Sequence, residues 1–125
     1  ALYNQQYPLT PWATLIKGDM GDLALLHDIF STYSIDAVMH CAAFIDVGAS
    51  VKDPRIYYDN NVVRTVQLLQ SMLEHGVRRL IFSSSAAVYG NPVYIPMDEQ
   101  HNQSPLSPYG MSKYMVERIL QDYAN

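Results

Sequence analysis

The feature that most limits the possible folds is an alternation of short apolar runs with longer stretches spaced as helices. Residues 13–17, 36–42 and 79–83 are the short runs. Residues 13–17 read as a short buried strand and 79–83 as another, while 36–42, mostly apolar and without a polar-apolar period, suit a parallel strand covered on both faces. Leu23, Leu26, Ile29 and Phe30 recur at helical spacing behind a cap at Asp19 or Asp22. Val62, Val66, Leu69 and Leu73 form one stripe on a long helix predicted from Pro54 to Gly76. A last helix after Pro108 carries Val116, Ile119, Leu120 and Tyr123 on its apolar face. Strand and helix alternating in this way predict an α/β fold built on a parallel sheet.

Ligands of such sheets bind beyond the carboxyl ends of the strands. Those ends are Gly18-Asp19-Met20, His40-Cys41-Ala42-Ala43 and Ser83-Ser84-Ser85, so one rim collects small and polar residues. The alanines leave room for a flat ring or sugar phosphate against the backbone, or only turn the chain tightly after a strand. Asp19 can accept from an amine or hydroxyl, or only cap a helix. Serines leaving a strand can orient a substrate hydroxyl, although they also populate turns. His40 reads as a satisfied structural histidine and Cys41 as core filler.

Tyr109 and Lys113 stand four apart at the start of the last helix, which puts them on one face about 6 Å apart along the axis. An ammonium within about 4–6 Å of a phenol favours the phenolate, so the pair suits proton transfer. Spacing alone also describes an ordinary surface pair.

Composition excludes several classes of function. Eight Lys and Arg against twelve Asp and Glu, scattered along the chain, give a net charge of -4 and argue against nucleic acid as a partner. One cysteine forms no internal disulfide, and no Cys and His cluster suggests a metal site, which fits a cytoplasmic protein. No apolar run approaches the roughly 18 residues of a membrane span. The chain begins at Ala1 without a methionine and is expected to be a piece of a longer protein.

Five linked motifs carry a resemblance. Gly18-Asp19-Met20, His40 to Phe44 with Val47-Gly48, Tyr57 to Asn61, Phe82 to Gly90, and Ser107 to Lys113 come in the order and spacing of extended short-chain dehydrogenase/reductases. Within that superfamily the chain looks most like the UDP-glucose 4-epimerases (UDP-galactose 4-epimerases). The resemblance implies a Rossmann-like parallel sheet with flanking helices, residues 1–125 being part of an NAD-binding domain. The first βαβ unit, with its glycine-rich loop, and the C-terminal substrate domain would lie outside the chain.

It further implies NAD as cofactor, a UDP-sugar as substrate and a homodimer paired through the two long helices. Tyr109 would be the acid/base at the sugar 4-hydroxyl, and Lys113 would hold the nicotinamide ribose and favour the phenolate. Ser85 would bond the same hydroxyl, with Ser83 and Ser84 nearer the cofactor. Asp19 and Met20 would flank the adenine, Cys41, Ala42 and Ala43 would line the dinucleotide, and Asn60 would sit beside it. Two positions depart from the pattern: Ile45 stands where a lysine, and Ala49 where a glutamate, is common. Ala86 and Ala87 occupy positions where the related dehydratases and decarboxylases tend to carry acidic residues, which points to epimerisation. The alternatives are another NAD-dependent nucleotide-sugar epimerase or dehydratase, or a non-catalytic dinucleotide-binding domain.

Overall fold

The computed structural model describes residues 12–124. Two parallel strands, β1 (Val38–His40) and β2 (Leu80–Phe82), pair in the register Val38 to Leu80, Met39 to Ile81 and His40 to Phe82. Helices α1 (Leu23–Thr32), α2 (Val47–Lys52), α3 (Pro54–Tyr58) and α4 (Arg64–Glu74) precede β2, and α5 (Pro108–Ala124) closes the chain.

Local chemistry explains the helix ends. The Asp22 carboxylate accepts from the backbone N–H groups of Ala24 and Leu25, both at 3.1 Å, satisfying two donors that α1 leaves unpaired. Asp46 caps α2 through the Ala49 N–H at 2.8 Å. Helix α4 ends at Gly76, whose φ of 74° is the left-handed conformation that glycine adopts without penalty. There the Val77 N–H reaches the Met72 carbonyl and the Gly76 N–H that of Leu73, the paired closure of a Schellman turn.

Val77 is thereby delivered into a core of Leu26, Leu68, Leu69 and Met72. Val38, Leu80, Ile119 and Leu120 pack against it, joining α1, α4, α5 and one face of the sheet.

Three expectations change. Residues 13–17 are exposed coil, not a strand, because no strand among the described residues pairs with them. The strands are covered on one face only: Met39 and Ile81, neighbours on the other face, are 69% and 60% exposed. The long helix from Pro54 is interrupted by a π-helical segment, Asp59–Val63. After it, burial falls on Thr65, Leu68, Leu69 and Met72, leaving Leu73 of the predicted stripe 41% exposed. Among the described residues no helix is long and apolar enough to cross a membrane.

Candidate active site

Helix α5 places Tyr109 and Lys113 on its buried face, together with Gly110, Ser112 and Val116. The Ser107 hydroxyl accepts from the Gly110 N–H at 3.0 Å and fixes the helix start just before the tyrosine. Lys113 is only 3% exposed. Its ammonium donates to the Ser83 carbonyl at 2.8 Å, beyond the end of β2, and stands 4.7 Å from the centre of the Phe82 ring. Burial pushes the lysine's pKa down, with Cys41 acting in the opposite sense.

The turn after β2 meets the start of α5 at very short range. A Cβ on Gly110 would lie 2.6 Å from the Ala87 carbonyl oxygen, so only glycine permits this approach. The contact brings the neighbour of Tyr109 against the short 3₁₀ turn Ala86–Val88, which Ser85 caps. The Ser85 Oγ accepts from the Ala87 N–H at 3.2 Å, leaving the hydroxyl proton free to donate. Ser84 instead donates to Glu117, which also accepts from Gln103 at 2.6 Å.

The other rim residues converge as well. Gly18, Asp19, Met20, Ala42, Ala43 and Asn60 line one cleft of about 100 Å³, although the segment that carries the first three is not a strand. Cys41 is exposed, a correction of its reading as core filler: β1 ends at His40, so the next residue leaves the sheet at the rim. His40 is buried and satisfied as expected. Thr65 uses its one hydroxyl proton on the Asn61 carbonyl at 2.8 Å, so His40 Nε2 donates to Thr65 Oγ1 across 2.9 Å. Burial, then the Lys113 charge, pushes its pKa down and favours the neutral ring.

Three residues escaped sequence reasoning. Asn61, 2% exposed, accepts from the Phe44 N–H at 2.9 Å and from Asn60 at 3.0 Å, and donates to the Phe44 carbonyl and Ser112 Oγ, both at 3.0 Å. Ser112 passes its own proton to the Tyr109 carbonyl at 2.7 Å. Asn61 thus ties the loop after β1 to the helix that carries the tyrosine. Glu117 continues the Tyr109 and Lys113 row by one more turn, a spacing that could have found it. Arg64 pairs with both Asp19 and Asp59.

These residues fit a dinucleotide: small side chains and an ionised acceptor line one cleft, while a buried ammonium lies beyond the end of β2 and a serine hydroxyl caps the turn that follows.

The family profile described as GDP-mannose 4,6 dehydratase matches residues 1–125. UDP-glucose 4-epimerase of Rhizobium meliloti (strain 1021) is 43% identical over 98% of this chain and 37% of its own length. That of Halalkalibacterium halodurans is 50% identical over 85% of this chain and 32% of its own. The crystal structure of UDP-glucose 4-epimerase from Bifidobacterium longum in complex with NAD+ and UDP superposes with a TM-score of 0.84 at 44% identity, covering 86% of this chain and 32% of that one. The chain therefore spans about a third of the length of the curated relatives it matches. It belongs to the GDP-mannose 4,6 dehydratase family of extended short-chain dehydrogenase/reductases, where its similarity lies with the UDP-glucose 4-epimerases.

Proposed function

We propose that residues 1–125 are part of the NAD-binding domain of a nucleotide-sugar 4-epimerase that interconverts UDP-glucose and UDP-galactose. The observation that carries this reading is the buried Lys113, bonded to the carbonyl beyond β2, one turn from a tyrosine whose helix abuts the turn capped by Ser85. Tyr109 takes the proton from the sugar 4-hydroxyl and gives it back. Ser85 donates its free hydroxyl proton to the same oxygen and orients it. Lys113 holds a ribose hydroxyl and carries its positive charge on the same face of α5 as Tyr109. Asp19, Met20, Ala42, Ala43 and Asn60 receive the adenine half, with Cys41 at its border and Ser83 and Ser84 towards the other end. Bound NAD supplies reversible hydride exchange at sugar C4, by way of a transient 4-keto sugar.

The family's description names a dehydratase, and loss of water needs acid/base groups near the leaving hydroxyl. Ala86 and Ala87 offer only methyl groups in the turn next to Tyr109, which favours epimerisation.

Incubating the full-length parent protein with UDP-galactose should yield UDP-glucose, and Tyr109→Phe should abolish turnover while NAD stays bound. An unchanged rate in that variant would sink the assignment. The 125 residues alone should neither turn over substrate nor bind NAD at micromolar concentration, because the sequence contains no Gly-x-Gly-x-x-Gly phosphate cradle; calorimetry checks this. The reading includes a cytoplasmic homodimer paired through the helices from 54–74 and 108–124. A monomer in sedimentation at high concentration would count against the dimer.

A further inference from the structure

Arg64 opens α4 beside the cleft of Gly18, Asp19 and Asn60 without lining it. Its guanidinium reaches two carboxylates: Nη1 meets Asp19 Oδ2, while Nε and Nη2 meet Asp59 Oδ2 at 3.3 and 3.2 Å. Gly21 lets the side chain cross, since a Cβ there would lie 3.1 Å from Arg64 Cγ and Cδ and 3.2 Å from Asp19 Oδ1.

Asp19 is consequently held on both oxygens. Oδ1 accepts the Gly21 N–H at 2.7 Å and Oδ2 faces Arg64. The backbone bond first, and Arg64 with it, hold the carboxyl below its usual range. It is ionised and acceptor-only at neutral pH, with lone pairs remaining on each oxygen. Lining the cleft beside Met20, Ala42 and Ala43, its carboxylate is an acceptor edge. An exocyclic amine satisfies that edge, whereas a carbonyl in the same place sets oxygen against carboxylate.

We propose that Arg64 is the positioning residue that fixes Asp19 as the acceptor by which this cleft selects an aminopurine dinucleotide over its 6-oxo counterpart. The proposal rests on the dinucleotide reading above. Arg64 acts through Asp19, which keeps its Gly21 bond but loses its second anchor when the guanidinium is removed. The two side chains are 31% and 56% exposed, so solvent screening limits the effect to about two- to fivefold.

The test titrates the full-length parent protein, freed of cofactor, with NAD and with nicotinamide hypoxanthine dinucleotide by calorimetry. Arg64→Met should lower the preference for NAD by about two- to fivefold, chiefly by weakening NAD, and Arg64→Lys should restore most of it. Equal weakening of both dinucleotides, or an unaltered preference, would overturn the role given to Arg64. Failure of the unsubstituted protein to bind either dinucleotide would overturn the dinucleotide reading itself, and this proposal with it.

Discussion

Replacing Asn61 by alanine in the full-length parent protein removes a side chain whose four hydrogen bonds join three parts of the fold. Two go to the N–H and carbonyl of Phe44 and one to Ser112, all within 2.9–3.0 Å, while the fourth comes from Asn60. The residue is 2% exposed, so water cannot readily replace those partners. A neutral hydrogen bond contributes about 0.5–1.5 kcal/mol net, and a buried partner left unmade costs more. Counting the two Phe44 bonds and the Ser112 bond, the expected loss is about 2–4 kcal/mol, a large share of the roughly 5–15 kcal/mol that stabilises a domain. Urea unfolding should show a lower midpoint at an unchanged slope. Asn61→Asp should not rescue, because a carboxylate cannot donate to the Phe44 carbonyl or to Ser112. A loss below about 0.5 kcal/mol for the alanine variant would refute the view that this side chain bears the junction.

Gly110→Ala should cost at least about 1–3 kcal/mol, as an overpacked contact does, and should lower turnover by pushing Tyr109 away from the Ser85 turn; melting temperature and initial rate together check this, and a stable, fully active variant would contradict it. His40 gives a pH dependence. Its pKa is lowered in the fold, so the unfolded chain binds the proton more tightly. Its contribution is complete above the unfolded value of about 6.5 and is lost as pH falls through the folded value, so stability should decline on acidification over that window. His40→Gln should flatten that part of the stability curve, and an unchanged slope would count against the mechanism.

Much of the site was legible because helical spacing fixes a face. Tyr109 and Lys113 share the buried side of α5, and the capping role of Asp22 and the stop at Gly76 follow from local backbone chemistry alone. Partners were less legible. From composition the serine run offers three hydroxyls at the rim, yet Ser84 turns to Glu117, Ser85 caps a turn, and Ser83 contributes a carbonyl to Lys113. A strand needs neighbours as well as composition, which is why residues 13–17 carry strand-like residues without strand structure. Arg64 and Asn61 stayed hidden because Asp19 and Phe44, which they reach, lie 45 and 17 residues away in the chain.

The π-helical segment Asp59–Val63 also constrains how this helix can change length. Each residue of an α-helix turns its successors by about 100°, so adding or removing one swings every later side chain by that angle. Upstream of the segment lies Tyr57, and within it lie Asn60 and Asn61, which serve the rim; downstream lie Leu68, Leu69 and Met72, which serve the core. The two sets stand in rotational phase only while the extra residue is present. A single deletion that regularised the helix would keep one set in place and turn the other away, so the segment works as a phase adjuster between the hydrophobic core and the rim.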